Sequence, residues 1–356
     1  EVILTVSKDG YAKRSSIASW RSSGGLSGAL PGLKSGDCLV YEGNCLTTDF
    51  LLAFTNFGNY VYLPIHLIKA NKWLDEGVHL NTLVSLATGE KLVRAFAVKS
   101  FRSDLNVLIL SKLGQIKKAR LSDFPVTRYS RPIRTMRLLK EDEVVDAALG
   151  SGDSTLLVFS QSGLVSRYNE GLVPLNVGAS SGVKAGSFKR SPCVALLAYG
   201  PEQVANAKFF LITDQGCWRV AAVSNLEEGE RLSKANALFK SFKNEPHDLA
   251  YVEDVGSKPS PYAVSLNLDS GEKFSLVIPN WNLTPMDRYA KKDEHFPKSG
   301  KVVGVDRRSK DYIDETIVAH APTVEEENEL PEEDAKAVDE KPKEKFEQIS
   351  IFGDDD

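Results

Sequence analysis

Six times along the chain a short apolar run leads, four to six residues later, to a glycine. The glycines are Gly10, Gly58, Gly114, Gly163, Gly216 and Gly271, spaced by 48, 56, 49, 53 and 55 residues. A period of about 50 residues built from short strands belongs to propeller-like discs. A ring of similar units presents similar edges to one long ligand, so the period also says where to look for function.

The apolar runs include Val2-Ile3-Leu4, Leu51-Leu52-Ala53-Phe54, Val107-Leu108-Ile109-Leu110, Leu156-Leu157-Val158-Phe159 and Phe209-Phe210-Leu211-Ile212, with a weaker sixth at Ala263-Val264-Ser265-Leu266. Their length and β-branched and aromatic content favour buried strands over helices. Three residues before each glycine stands Ser7, Thr55, Ser111, Ser160 or Thr213, and Leu268 in the sixth copy. The glycine supplies the positive φ of a tight hairpin. Each hairpin is followed by a looser loop and a strand pair, giving four short strands per unit. Helices are expected to be short at most, around 204–207 and 227–238.

After the turn a cation recurs three or four places on: Lys13 and Arg14, Lys117 and Lys118, Arg167, and Arg219. Copy two has Val61 and Tyr62 there, and copy six Phe274 and Ser275. One such cation is a solvated strand face. Four at matched offsets imply a shared basic edge, strongest at copies one, three and four.

The chain has 356 residues, 42% of them hydrophobic and 26% charged, which suits a large core. It contains no apolar stretch of membrane-spanning length. The first residue, Glu1, implies a cut inside a longer polypeptide. Cys38, Cys45, Cys193 and Cys217 form no CxxC pair and are expected to be reduced thiols of a cytoplasmic protein. The five histidines are scattered, and no P-loop, GxSxG or HExxH occurs. The centre of the repeat reads as apolar, which argues against a convergent central site of carboxylates or metal ligands.

The formal charge of −4 conceals an asymmetry. Residues 319–356 hold 14 Asp or Glu against 4 Lys, whereas the rest holds 40 basic and 34 acidic side chains. The tail is expected to be disordered, as a solubilising end or as a polyanion mimic that competes for a basic rim.

The six strand–Ser/Thr–Gly–basic units, the "GYAKRSS" of the first copy and the tail ending Phe346-Glu347-Gln348-Ile349-Ser350-Ile351-Phe352 resemble the C-terminal repeats of the larger, DNA-cleaving chains of bacterial type IIA topoisomerases. The resemblance covers residues 1 to about 318. It implies an all-β fold, a six-bladed β-pinwheel of four-stranded blades at approximately 1–50, 51–100, 101–150, 151–200, 201–254 and 255–318, followed by the acidic tail 319–356. It also implies a DNA-binding outer perimeter around which duplex DNA bends.

Gyrase A carries a glutamine-arginine-arginine-glycine-glycine-arginine-glycine box in its first blade. The matching loop here, Trp20-Arg21-Ser22-Ser23-Gly24-Gly25-Leu26-Ser27-Gly28, keeps Gly24 and Gly25 but only Arg21 of the arginines. That degenerate box favours the topoisomerase IV branch, with gyrase-type wrapping and a protein-binding propeller scaffold as the alternatives. The family's catalytic tyrosine lies in the N-terminal breakage-reunion part, so this piece is expected to be non-catalytic. It would bind and bend duplex DNA, without sequence specificity, and present it for relaxation and decatenation. The resemblance places ATP and magnesium elsewhere in the enzyme, with no cofactor here. It implies as partners the rest of the DNA-cleaving chain and the ATP-hydrolysing chain, in a bacterial cytoplasmic, nucleoid-associated heterotetramer serving chromosome segregation.

The expected DNA-binding residues are Lys13, Arg14, Arg21, Lys117, Lys118, Arg120, Arg128, Arg131, Arg134, Arg167, Lys184, Lys189, Arg190 and Arg219. Phosphate contacts from such a rim would position a duplex without reading bases.

Overall fold

A computed structural model describes residues 1–239, 246–285 and 289–308. These all fall within one compact unit, Glu1–Ala319, and the acidic tail of the sequence reading lies outside the described residues. The chain forms six antiparallel sheets, five of four strands and a sixth of three. The expected six-bladed all-β disc is present, with one strand fewer in its last blade among the described residues.

All six repeat glycines have positive φ, from 70° to 92°. The serine or threonine three residues earlier has a specific task. Ser7, Thr55, Ser111, Ser160 and Thr213 each accept, at 3.0–3.4 Å, the backbone N–H of the residue just after the glycine. The hydroxyl thus satisfies a donor that the tight turn would orphan, worth about 1 kcal/mol per hairpin. Leu268 cannot do this, and its own N–H bonds the Glu272 carbonyl instead.

In the first sheet the hairpin Val2–Ser7 and Tyr11–Ser16 is flanked on one side by Leu39–Cys45. On the other side lies Val78–His79, a two-residue strand contributed by the next repeat. The same exchange recurs at Ile133–Arg134 on the second sheet, Val183–Lys184 on the third, Asn236–Ala237 on the fourth and Lys291–Lys292 on the fifth. Each repeat is therefore strapped onto its predecessor.

Strands equivalent to Leu39–Cys45 touch one another from sheet to sheet and surround the centre. Apolar clusters fill the five junctions between consecutive sheets, such as Leu52, Phe54, Val107 and Ile109 between the second and third. The junction of the sixth sheet with the first is polar. Asp306 accepts the Leu39 N–H at 2.8 Å, and Arg308 forks onto both Glu42 carboxylate oxygens at 2.8 and 2.9 Å. The ring closes through charge-assisted bonds where the other junctions close by burial.

Where short helices were expected, 204–206 form a turn and 227–238 run as irregular chain with bridges at Glu228 and Lys234 and the Asn236–Ala237 strand. The α-helix among the described residues is Ile17–Ser22, inside the Gly/Ser-rich loop. Ser16 caps it by accepting the Ser19 N–H.

Candidate nucleic-acid interface

The recurring cation after each glycine is not on the rim. Lys13 and Lys117 are each 1% exposed, Arg219 is 0% exposed, and Lys118 is buried. The Lys13 ammonium donates to the carbonyls of Gly32, Trp73 and Asp75. Lys117 donates to the carbonyls of Thr135 and Gly178. Burial pushes both ammonium groups down to about 8. One place further on, Arg14 donates to the Ile68 carbonyl at 2.6 Å, Lys118 to that of Glu170 and Arg167 to those of Val223 and Leu226.

These carbonyls sit in or beside a 3-10 turn of the following repeat; those of Glu170 and Val223 accept the cation in addition to the turn's own N–H, from Val173 and Leu226. The recurring cation is a repeat-to-repeat clamp. Lys13, Arg14, Lys117, Lys118, Arg167 and Arg219, read from sequence as a DNA-facing edge, are instead committed to carbonyls or enclosed by the core. The physical reason is strand exchange: the strap from the next repeat covers the hairpin face that the sequence left open to solvent.

The remaining expected residues are exposed: Arg21, Arg120, Arg128, Arg131, Arg134, Lys184, Lys189 and Arg190. Six of these eight lie on two neighbouring straps, whereas Arg120 ends the hairpin strand Gln115–Arg120 and Arg21 lies in the Gly/Ser-rich loop. Arg134 pairs with Asn59 and Lys184 with Gln115, each opposite the residue after the hairpin glycine on the outermost strand of its sheet. Backbone links join the straps into a belt. Ser85 N–H donates to the Ser130 carbonyl, and Arg137 N–H to the Ser180 carbonyl at 3.0 Å. An Arg231 side chain reaches the Lys184 carbonyl.

The belt segments 125–137 and 174–190 contain Arg128, Arg131, Arg134, Arg137, Lys184, Lys189 and Arg190 and no Asp or Glu. Arg137 is exposed and was not among the sequence candidates. Its signal was the spacing of four arginines three residues apart from 128 to 137. The belt changes sign at the next strap, where Glu227, Glu228 and Glu230 are exposed. The basic arc thus centres on the second and third sheets. The expectation of strength at copies one, three and four is displaced, because exchange carries the arginines of repeat three onto the sheet of repeat two.

Lys189 and Arg190 form the tip of a tight turn closed by the Ser191 N–H on the Phe188 carbonyl at 2.9 Å. Both have left-handed backbone, φ 50° and 68°. Such geometry favours glycine or asparagine and costs about 1–2 kcal/mol for other residues. Two cations are held at an exposed apex against local preference.

Arg21 lies exposed in the helix of the box loop, away from these straps in sequence. Gly24 is left-handed, and a Cβ on Gly25 would overlap the Trp20 ring, so both glycines are required by the local fold.

The ring centre is not apolar, contrary to the sequence reading. Arg94 stands 3.7 Å from Asp146, Tyr251 donates to Glu253 at 2.8 Å, and the Arg307 guanidinium lies 4.9 Å from the Tyr251 ring. Asp146 also accepts the Leu196 N–H at 2.9 Å. Period-two alternation on the central strands concealed these charges: Arg94 and Arg307 find their partners on a neighbouring repeat, and Tyr251 and Glu253 meet two residues apart on one strand. No group of three or more His, Cys, Asp or Glu with metal-binding geometry occurs among the described residues. All four cysteines are free and buried, and no described helix is long and apolar enough to cross a membrane.

The family described as DNA gyrase C-terminal domain, beta-propeller, matches residues 1–26, 49–99 and 105–150. The A subunit of DNA topoisomerase 4 from Bacillus subtilis (strain 168) is 28% identical over 86% of this chain and 37% of its own length. The Staphylococcus aureus protein of the same name is 27% identical over 78% of this chain and 34% of its own. The chain therefore spans little more than a third of these relatives. A crystal structure of the C-terminal domain of DNA topoisomerase IV superimposes with TM-score 0.71 at 25% identity, covering 85% of this chain and 92% of that one. The DNA gyrase A C-terminal domain gives 0.64 at 17% identity, over 86% and 98%, a likeness of fold. Repeat pattern, strapped sheets and these comparisons agree: the chain is similar, over most of its length, to the C-terminal domains of topoisomerase IV and gyrase A.

Proposed function

We propose that the domain holds duplex DNA along its outer belt, bends it and presents it to the remainder of the DNA-cleaving chain of a topoisomerase IV. The observation that carries this reading is the acid-free belt of Arg128, Arg131, Arg134, Arg137, Lys184, Lys189 and Arg190 on two adjacent sheets. Each phosphate neutralised by such a side chain releases counterions, and none of these contacts reads a base. Bending a site of 20–30 base pairs by 40–90° costs about 1–6 kcal/mol, which several phosphate contacts offset.

On this reading the domain performs no covalent chemistry. Strand cleavage, ATP and magnesium belong to other parts of the enzyme, a heterotetramer of the bacterial cytoplasm that includes the ATP-hydrolysing chain. Decatenation and relaxation would draw on the bent segment. The box loop, with Arg21 as its single arginine, supports the topoisomerase IV branch over gyrase-type wrapping.

The test is binding of the chain to a duplex of about 40 base pairs across a salt series. A linear log–log fall of several units, indifferent to sequence, is expected. Absence of binding at low salt would overturn the reading in favour of a protein-binding scaffold. Nicked-circle ligation that trapped strong positive wraps would instead favour the gyrase type.

A further inference from the structure

The sixth sheet lacks what the other five have. Its strands are Tyr262–Leu268, Lys273–Ile278 and Val302–Val305, and among the described residues the outer edge of Lys273–Ile278 has no partner strand. The repeat that would supply one in a closed ring is the first. Its intervening segment is occupied otherwise: Ile17–Ser22 is helical, and the Gly32 N–H bonds the Trp73 carbonyl at 2.9 Å on the first blade.

The molecule itself displays what such an edge accepts. Five times a two-residue strand docks antiparallel on the outer hairpin strand, its second residue opposite the one after the glycine. The docked pairs are Val78–His79, Ile133–Arg134, Val183–Lys184, Asn236–Ala237 and Lys291–Lys292. In four of them the next residue donates its N–H to the hairpin glycine's carbonyl: Leu80 to Gly10, Thr135 to Gly58, Ala185 to Gly114 and Leu238 to Gly163. Three of the five carry an apolar residue followed by His, Arg or Lys.

On the sixth sheet the register reproduces the same frame. Asn267 pairs with Lys273, as Val6 does with Ala12 and Leu110 with Ile116. The position opposite the incoming second residue is therefore Glu272, where the other sheets have Tyr11, Asn59, Gln115, Leu164 and Cys217. Glu272 is exposed, and nothing lies within 4 Å of where a Cβ on Gly271 would stand. Lys273, opposite the incoming first residue, has its ammonium held by Asp306 at 2.9 Å, leaving its aliphatic stem to the newcomer. Val277, 48% exposed, continues the edge.

We propose that this edge is a docking site for a partner polypeptide, which adds an extended segment of the form Gly–apolar–Lys/Arg–small to the sixth sheet. Main-chain bonds to the edge supply the binding, and Glu272 opposite the cation supplies the selectivity. An edge that is free among the described residues, a defined register, five internal examples of strap docking, one of which (182–185) carries the whole pattern, and one matching carboxylate specify the partner's chemistry. The site lies outside the basic belt, so it does not rest on the DNA-binding reading.

The probe is a fluorescein-labelled peptide with the sequence of residues 180–190, SSGVKAGSFKR, titrated against the full chain by anisotropy at moderate salt. Saturable binding is expected, weakened at least tenfold by Glu272→Lys in the protein. A peptide with Glu in place of its first lysine is expected to recover the loss on the Glu272→Lys protein and to bind the unaltered protein weakly. Glu272 is exposed, so folding is not at stake, and Val277→Pro at the same edge supplies a second variant expected to abolish binding. Failure to bind, or binding indifferent to both substitutions, overturns the proposal. Binding that emerges only after Leu33→Gly/Lys34→Gly also overturns it, by showing that the chain's own first repeat fills the edge.

Discussion

The Lys13 ammonium donates to the Trp73 carbonyl at 2.7 Å, across 60 residues and from one repeat into the next. Lys117 repeats the arrangement on the Gly178 carbonyl, 61 residues on and likewise in the next repeat. A cation buried among carbonyls without a carboxylate in hydrogen-bond contact is a structural tie, not a ligand site. Removing it takes a donor from the Gly32, Trp73 and Asp75 carbonyls, of which Trp73 keeps the Gly32 N–H, at about 1–3 kcal/mol for an orphaned polar group. Lys13→Met, which keeps the aliphatic stem, is expected to cost about 3 kcal/mol in urea unfolding. DNA affinity measured on the folded protein should change less than twofold. A stability loss below about 0.5 kcal/mol together with a large loss of DNA affinity would return Lys13 to the rim.

The hairpins were legible because they depend on local physics. A glycine at positive φ and a hydroxyl three residues earlier leave their mark within a few positions, and all six turns form where the period put them. The straps were not legible. A two-residue strand such as Ile133–Arg134 has no periodicity to detect, and its partner Tyr60 lies in the preceding repeat. The clamp cations were misplaced for the same reason.

One sign of their burial was present. Val61 occupies in copy two the position of Lys13 and Lys117, and a site that accepts valine in a sister repeat is a core site. The belt residues Arg128, Arg131, Arg134 and Lys184 were found because turn-rich, acid-free sequence goes to the surface whatever the topology.

Belt residues that touch phosphate should each alter the salt dependence by a countable amount. Arg134→Ala and Lys184→Ala are each expected to lower the log–log slope by roughly 0.9, uniformly across DNA sequences. Both side chains are exposed, so stability should move by less than about 0.5 kcal/mol. The same substitution at Lys298, an exposed residue of the sixth repeat outside the belt segments, should leave the slope nearly unchanged. Equal effects at all three positions would mean that the duplex contacts the whole perimeter.

The turn at Lys189 and Arg190 should show stability and binding moving in opposite directions. Lys189→Asn/Arg190→Gly places residues suited to φ 50° and 68°, and should raise stability by about 1–2 kcal/mol. The same change removes two exposed cations from the belt and should lower the salt slope by as much as about 1.8. Thermal unfolding and duplex titration on one preparation check both halves. A variant neither more stable nor weaker in binding would assign the strained turn to neither role.

The buried amines should leave a signature in the pH dependence of stability. Lys13 and Lys117 titrate near 8 in the folded chain against 10.5 ordinarily. Below pH 8 both states hold the proton, and the cost of burying the charge is present in full. Between 8 and 10.5 the unfolded chain binds more protons than the folded one, so stability rises with pH, by at most about 1.4 kcal/mol per pH unit for each amine. The carbonyls around each ammonium oppose its neutralisation and keep the gain below that limit. The thiols act in the opposite sense. Burial pushes Cys38 up to about 11 and Cys45 and Cys193 up to about 12, against 9.0 ordinarily. Above pH 9 the unfolded chain releases thiol protons that the folded chain retains, and stability falls. The urea midpoint should therefore be higher at pH 9 than at pH 7.5 and lower again at pH 10.5. In Lys13→Met/Lys117→Met the rise should vanish while the alkaline fall persists. A wild-type midpoint that is flat from pH 7.5 to 9 would show that the carbonyl cages keep both amines charged throughout.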